Sequence, residues 1–271
     1  MQKNLSESKL INVVSFAPVQ PLIFSEDEPL VILGFLLGVA RKNNLLVKNA
    51  EGELTGEASS ADLFQAFYPD FRNVWKNLYT IRLKDVARKI RFLDAGFPLG
   101  MYYYTLKNSG TRFADAVVTV KGTPVSFITP YNILYFMYRN GTLESLRADA
   151  IQSSVITAGE DVRVYEVVRL MLEKWIRKLL IGNRVLDDRN LVAHALFNMN
   201  NLSLLAKDPE AILNAPISSF DGLLKEPETY SKNDSIYEIA KKVLFSETEC
   251  AISEDGHYII TPFDIAVKPF L

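Results

Sequence analysis

The sequence contains very little cysteine and histidine. Its 271 residues include one cysteine, Cys250, and two histidines, His194 and His257. A single cysteine excludes an internal disulfide and a cysteine-rich zinc site, and it fits a reducing compartment, so we expect a cytoplasmic protein. Neither histidine lies near a nucleophile that the sequence identifies, and no glycine-rich phosphate loop is present. We therefore expect a protein that is not an enzyme.

Charge of one sign and long apolar runs are also scarce. The chain has 30 Lys and Arg residues against 32 Asp and Glu residues, which gives a net charge of −2 and no electrostatic signature of nucleic-acid binding. The longest uncharged run, Pro29–Ala40, is shorter than the roughly 20 residues that a membrane-spanning helix needs. We expect this run to form a buried helix, with no membrane partner. The N-terminus, MQKNLSESKL, lacks the apolar core of a signal peptide.

What the sequence does contain is a motif that recurs four times. Each copy is a short apolar strand followed by a helix start, and the copies are about 60–75 residues apart, longer than the usual solenoid period. The predicted N-cap residues are Ser59, Thr129, Asp187 and Thr261, and the residues three positions later are Asp62, Asn132, Asn190 and Asp264. The last copy also carries the hairpin signal Asp255-Gly256 and a proline at the first helical position.

A strand and an amphipathic helix are predicted before each motif. The predicted strands are Val19–Phe24, Leu78–Ile81, Val155–Thr157 and Pro227–Tyr230. The helices that follow contain the apolar run from Leu30, the spaced residues Leu83 to Ile90, Asp161–Trp175 and the spaced residues Ile236 to Leu244. The order β-α-β-β-α predicts an α+β fold made of small three-stranded sheets, each with both helices on one face. A unit of about 60 residues is marginal alone, so we expect the units to pair.

Four such units resemble the cystathionine-β-synthase (CBS) domain family. The resemblance rests on Gly56 to Asp62 and on Thr261 to Asp264, and the second and third motifs depart from the family pattern at Asn132, Asp187 and Asn190. It implies four CBS repeats at residues 1–70, 71–147, 148–205 and 206–271. It also implies two tandem pairs of repeats, called Bateman modules, which either form a flat disk within one chain or pair with a second chain as a homodimer.

The resemblance implies an adenine nucleotide, AMP, ADP or ATP, in clefts between paired repeats. A helix start with a Ser or Thr cap suits a phosphate, and Asp62 or Asp264 can accept hydrogen bonds from ribose hydroxyls. Asn132 and Asn190 lack that charge, so we rank the first and fourth motifs above the other two. The resemblance also implies that Arg177 and Lys178 in the third repeat, and Lys42 in the first, face a phosphate, while Arg189 can offset the repulsion of a phosphate by Asp188. The predicted nucleotide-binding residues are Ser59, Asp62, Thr129, Asn132, Arg177, Lys178, Asp187, Arg189, Asn190, Thr261 and Asp264.

Two interpretations of different class remain open. In the first, the protein is a stand-alone ligand sensor whose nucleotide shifts the arrangement of its modules, and an effector protein reads that change. In the second, the same fold is a ligand-free scaffold for interaction or dimerisation, and each Ser/Thr-x-x-Asp motif is a helix cap that stabilises by about 1 kcal/mol. The adjacent acids Asp187 and Asp188 have no partner at metal-ligand spacing, so we expect no metal site. S-adenosylmethionine stays open as a ligand.

Overall fold

The chain folds into two compact units, each built from separate stretches of sequence. The computed structural model describes residues 5–39, 44–65, 67–68, 71–109, 114–143 and 146–271. One unit combines the described residues before Leu22 with Arg91–Val155 and Pro227–Leu271. The other combines the described residues of Leu22–Ile90 with Ile156–Glu226. Each unit therefore holds two of the four predicted repeats, the first with the third and the second with the fourth.

The strands form four small sheets of the same design. In each sheet one strand pairs parallel to a second strand, and the second forms an antiparallel hairpin with a third. The first two sheets contain β1 (Ile23–Ser25), β2 (Asn44–Lys48) and β3 (Leu54–Ser59), then β4 (Phe92–Asp94), β5 (Ala116–Val120) and β6 (Thr123–Ile128). The third sheet contains β8 (Thr157–Ala158), β9 (Lys178–Ile181) and β10 (Arg184–Asp187). The fourth contains β11 (Glu228–Tyr230), β12 (Ala251–Ser253) and β13 (Tyr258–Ile260), and β7 (Ser153–Ser154) is added at its edge.

Two helices accompany each sheet, one between its first and second strands and one after its third. The pairs are Val31–Gly38 and Ser60–Gln65, Leu99–Ser109 and Pro130–Arg139, Val164–Lys174 and Asp188–Asn190, and Ile236–Phe245 and Pro262–Ala266. In the third pair, Asp188–Asn190 continues as a π-helix, Leu191–Leu196. The predicted α+β fold of four β-α-β-β-α repeats is thereby confirmed. The repeat boundaries and the tandem pairing stay predictions.

Several shorter helices connect these elements. They are Leu10–Ser15, Val74–Thr80, Leu83–Val86, Ala148–Ile151, Met199–Lys207 and Pro209–Leu213, with 3₁₀ turns at Phe71–Asn73, Ile217–Ser219 and Lys268–Phe270. None of the helices in the described residues combines the length and the apolar composition that a bilayer span requires. The predicted helix in Pro29–Ala40 is confirmed as Val31–Gly38, and Leu33 and Leu37 on it are buried.

Glycine makes the hairpin turns possible. Gly256 has φ +72° in the turn between β12 and β13, and Gly122 has φ +79° between β5 and β6. These left-handed values are accessible to glycine because it has no Cβ. The hairpin predicted from Asp255-Gly256 is therefore confirmed. Each hairpin reverses the chain so that the third strand ends where the next helix begins.

The second repeat begins later than its sequence suggests. Leu78–Ile81, predicted as its first strand, lies largely in the helix Val74–Thr80, and the first strand is β4. The predicted helix at Leu83 to Ile90 extends only to Val86. Val74 and Leu78 are buried four residues apart, so helical packing outweighs the β propensity of Tyr79, Thr80 and Ile81. The helix between β4 and β5 is Leu99–Ser109.

Candidate functional site

The fourth residue of three motifs accepts hydrogen bonds from the cap residue of the same motif. In the fourth repeat, Thr261 donates its backbone N–H (2.9 Å) and its hydroxyl (2.6 Å) to Asp264 Oδ2. In the second repeat, the Thr129 N–H and hydroxyl donate to Asn132 Oδ1 at 2.9 and 2.6 Å. These bonds to the fourth residue of the motif fix the start of each helix. A ribose or phosphate at these residues would have to share or replace the capping bonds.

The first motif has the same capping geometry and an additional arginine. The Ser59 N–H and hydroxyl donate to Asp62 Oδ2 at 2.7 and 3.0 Å. Arg88 Nε lies 2.9 and 3.0 Å from the two Asp62 oxygens, and its Nη2 donates to Ser59 Oγ at 2.9 Å. Asp62 is fully buried. Burial raises the pKa of the Asp62 carboxyl above its ordinary value, and the positive charge of Arg88 opposes that shift.

Arg88 was not predicted from the sequence as a site residue, because it lies outside the first motif, in the segment that precedes the second repeat. The backbone of Arg88 pairs with that of Glu57 on β3, with N–H to O distances of 2.8 and 2.9 Å. The same close approach leaves no room at Gly56, where a Cβ would lie 2.9 Å from the Arg88 carbonyl oxygen. Gly56, three residues before the end of β3, was the available signal in the sequence, but nothing there identifies Arg88 as its partner.

The third repeat gathers its predicted cations around two buried aspartates. Arg189 Nη2 lies 3.2 Å from Asp187 Oδ2, and Lys178 Nζ lies 4.0 Å from the same oxygen. Arg177 Nε donates to Asp188 Oδ2 at 2.8 Å. Burial alone would raise the pKa of Asp188, but the charge and hydrogen bond of Arg177 hold that pKa below its ordinary value. The three basic residues predicted from sequence therefore lie in one cluster.

A hydrogen bond joins the first and third motifs within one unit. The Ser60 hydroxyl, at the start of the first repeat's last helix, donates to Asp188 Oδ2. Asp187 Oδ1 caps its own helix by accepting from the Asn190 N–H at 2.7 Å. The structure thus places Ser59 and Asp62 of the first motif beside the predicted third-repeat residues. We call this group, with Arg88, the charged tip cluster; its members are Ser59, Ser60, Asp62, Arg88, Arg177, Lys178, Asp187, Asp188, Arg189 and Asn190.

The second and fourth motifs lie in the other unit. The helices that follow them, Pro130–Arg139 and Pro262–Ala266, pack against each other. The Asn132 side-chain amide donates to the Ala17 carbonyl oxygen. Asp264 Oδ1 accepts from the Ser153 hydroxyl at 2.6 Å and lies 3.7 Å from Lys268 Nζ. Thr129, Asn132, Thr261 and Asp264 are therefore placed as predicted at helix starts, but with far less positive charge around them than in the charged tip cluster.

Two further predictions concern Lys42 and a metal site. Lys42 lies outside the described residues. The residues that the structure describes contain no group of three His, Cys, Asp or Glu side chains that could hold a metal ion. A cleft of about 840 Å³ opens beside the helix Val164–Lys174, lined by residues that include Asp161, Arg163 and Arg169. No predicted site residue lines this cleft, so it is separate from the motifs.

Comparison with known proteins relates the whole chain to solved structures at low identity. No protein-family model and no curated protein matches the chain. A structure from Methanocaldococcus jannaschii, described as a proposed archaeal homologue of g-AMPK, is 14% identical, covers 97% of this chain and 100% of its own, and has a TM-score of 0.78. An uncharacterised conserved protein from Pyrococcus horikoshii is 15% identical over 97% of this chain and 100% of its own, with a TM-score of 0.57.

The fold is that of the CBS-domain proteins. A CBS domain of a membrane protein from Sphaerobacter thermophilus is also similar, at 14% identity, 48% of this chain, 88% of its own and a TM-score of 0.40. The four β-α-β-β-α repeats and the full-length likeness to the M. jannaschii structure confirm the CBS-type fold expected from the sequence motifs. At these identities the likeness concerns the fold, and function has to be argued from the sites.

Proposed function

We propose that this protein is a regulatory module that binds an adenine nucleotide, AMP, ADP or ATP, and signals its occupancy to a separate effector protein. The observation that carries the proposal is the charged tip cluster. It collects four cations, Arg88, Arg177, Lys178 and Arg189, where two repeats meet through the Ser60–Asp188 hydrogen bond. The likeness to a structure described as a g-AMPK homologue supports a regulatory rather than catalytic role.

The cations of the cluster suit a phosphate ester. Each now lies near a carboxylate, and a phosphate can take over such a partnership because guanidinium groups bind phosphate and carboxylate oxygens with the same bidentate geometry. Arg177 is the most accessible of them, since its side chain is 53% exposed, while Lys178 and Arg189 are mostly covered. An incoming phosphate would first meet Arg177. A ribose would then lie near Asp62 or Asp187.

Isothermal titration calorimetry of the full chain with AMP, ADP, ATP and S-adenosylmethionine tests the proposal. We expect an adenine nucleotide to bind. We expect Arg189→Gln to weaken that binding by about ten- to a hundredfold, since a hydrogen bond to a charged group contributes about 1.5–3 kcal/mol. Arg139→Gln is the matched control, because Arg139 is exposed at the end of a helix in the other unit and should leave affinity unchanged. No binding at millimolar concentration of any of these ligands would overturn the proposal.

A ligand-free interaction scaffold is the second candidate, and one observation favours it. The polar side chains of the second and fourth motifs already have protein partners, since Asn132 binds the Ala17 carbonyl and Asp264 binds Ser153 and Thr261. Buried polar groups whose hydrogen bonds are all made within the protein do not require a ligand to complete them. Failure of every nucleotide to bind would leave this candidate. The effector protein, a homodimer and a cytoplasmic location remain predictions from the sequence.

A further inference from the structure

The segment Ile151–Ser153 lies against the fourth motif. It leads into β7, which extends the fourth sheet by pairing antiparallel with β13, so that Ser153 is opposite Ile259. The Val155 N–H continues the pairing by donating to the His257 carbonyl oxygen at 3.0 Å. Because β13 ends at Ile260, directly before Thr261, this register brings Ser153 to the start of the motif.

Ser153 makes the contact that a ligand hydroxyl would make. Its Oγ donates to Asp264 Oδ1 at 2.6 Å, while Asp264 Oδ2 accepts from the Thr261 N–H and hydroxyl. Both carboxylate oxygens are thus engaged, and Asp264 is 4% exposed. A ribose hydroxyl and a serine hydroxyl are donors of the same kind. A ribose at Asp264 would therefore compete with Ser153 for Oδ1.

Lys268 ties the segment in place. Its Nζ donates to the carbonyl oxygens of Ile151 (2.8 Å) and Gln152 (2.9 Å) and to Ser153 Oγ (3.1 Å). An ammonium group has three N–H donors, and these three acceptors use all of them. Tyr230 adds a second tie, since its hydroxyl donates to Gln152 Oε1 at 2.8 Å. The segment is held by side chains from both ends of the fourth repeat.

We propose that Ile151–Ser153 is an internal competitor that closes the fourth motif, with Ser153 in the place of a ribose hydroxyl and Lys268 as its clamp. The inference rests on the proposed function, because it concerns how the same class of ligand reaches Asp264. It assigns to the fourth motif a ligand with ribose hydroxyls, admitted only as the segment is displaced. The motif is then regulated by whatever loosens the segment.

Calorimetry with ATP and with 2′,3′-dideoxy-ATP tests this inference on the full chain. Ser153→Ala removes the competing hydroxyl and leaves Asp264 Oδ1 without its serine donor. We therefore expect ATP to bind at the fourth motif about fivefold more tightly, which is the contribution of one net hydrogen bond. Dideoxy-ATP, which lacks both ribose hydroxyls, should gain nothing. Lys268→Gln, which removes the clamp but keeps the competing hydroxyl, should also strengthen ATP binding.

Two matched controls accompany these variants. Ser154→Ala alters the neighbouring, exposed serine of the same strand, and Lys241→Gln alters an exposed lysine on the helix Ile236–Phe245; neither should change ATP affinity. Because the proposed function places ATP at the charged tip cluster as well, the result that matters is the ATP site at the fourth motif. Binding of ATP to the wild type with neither a tighter nor an additional ATP site in either variant would overturn the competitor and leave the proposed function standing. Absence of binding from the wild type and every variant would overturn the proposed function, and the competitor with it.

Discussion

Three buried carboxylates lie at helix starts, and each is bound by a cation or by a hydroxyl group. Asp62 binds Arg88, Asp188 binds Arg177 and Ser60, and Asp264 binds Ser153 and Thr261. Burial of an acidic group is costly unless such partners compensate it. The partners therefore decide both the stability of each motif and how readily a ligand can replace them.

Arg177→Met should destabilise the protein, because burial of the Asp188 carboxylate is unfavourable without its cation. Removal of Arg177 leaves the buried Asp188 charge with only Ser60 and Arg189 to compensate it. We therefore expect the free energy of unfolding at pH 7 to fall by about 2–3 kcal/mol, less than for a fully buried pair since Arg177 is half exposed. Urea unfolding measures this. Arg169→Met is the control: Arg169 forms a surface pair with Glu173, and the expected change is below about 0.5 kcal/mol.

The pH dependence of the same variant follows from the sign of the Asp188 shift. In the wild type the folded pKa lies below the unfolded value, so Asp188 contributes stability above the unfolded pKa, and this contribution is lost as the pH falls through the folded pKa. In Arg177→Met, burial raises the folded pKa, and protonation at low pH relieves the penalty. The stability gap between wild type and variant should therefore narrow from pH 7 to pH 4. A constant gap would mean that Arg177 acts through packing alone.

Segments between repeats form backbone hydrogen bonds with the last strand of each sheet, and one of them, β7, is an additional strand. Residues near Val19 bond to Phe127 on β6, Arg88 pairs with Glu57 on β3, Ser153 pairs with β13, and Lys225 pairs with Val185 on β10. In three of these places the segment also supplies a group to the motif: the Ala17 carbonyl, the Arg88 guanidinium and the Ser153 hydroxyl. In these three places, the same segment thus both covers the edge of a sheet and contacts the motif that follows that sheet.

These segments mark the limit of what the sequence could predict. The strand–cap–helix motifs were predictable because caps such as Thr261 with Asp264, and turns such as Asp255-Gly256, depend on residues close in sequence. Arg88 and Ser153 were missed because they reach Asp62 and Asp264 from 26 and 111 residues away. The first strand of the second repeat was misplaced for a related reason, since tertiary burial of Val74 and Leu78 outweighs local propensity.

Two glycines set the packing of the helix Val31–Gly38 on the third repeat. A Cβ on Gly34 would lie 1.9 Å from Phe197 Cζ, and one on Gly38 would lie 2.6 Å from Phe197 Cβ. Phe197 is fully buried at the end of the π-helix and also meets Phe35 edge-on at 5.6 Å. The aromatic ring occupies space that exists only because both positions lack side chains. The spacing of four residues puts the two glycines on one helix face.

Gly34→Ala should therefore destabilise the protein although alanine is the better helix former. Overpacking of a core costs about 1–3 kcal/mol, against roughly 1 kcal/mol gained from helix propensity. The 1.9 Å approach of Phe197 Cζ favours the upper part of that range, so the loss should exceed the gain. Phe197→Leu frees space for the new methyl group, so the double variant should lose less stability than the sum of the two single variants. Thermal unfolding of the three variants measures this. Strict additivity would show that Gly34 and Phe197 do not constrain each other.

Interleaving of the chain gives each compact unit its own hydrophobic core. The unit with the second and fourth repeats draws its core from three stretches, and residues after Pro227 supply many of its buried members, including Ile239, Val243 and Ile265. Aromatic contacts reinforce it: Tyr103 stacks on Phe270 at 4.7 Å and donates its hydroxyl to the Ala266 carbonyl at 2.9 Å. Within each unit, repeats far apart in sequence are thus mutually dependent for burial.

Truncation after Glu226 tests whether the two cores are separately cooperative. Loss of the fourth repeat uncovers the apolar side chains of the second. The backbone amides of β5 should therefore lose protection from hydrogen exchange, which mass spectrometry at pH 7 measures. Amides of β2 and β9 belong to the other core and should keep their protection, because none of the buried residues of that core lies after Glu226 in the described chain. Ile239→Ala in the full chain is a milder variant and should shift the same amides in the same direction. If β2 and β9 lose protection together with β5, the chain unfolds as one cooperative unit. Ligand binding at one pair of motifs would then stabilise the whole molecule instead of one core.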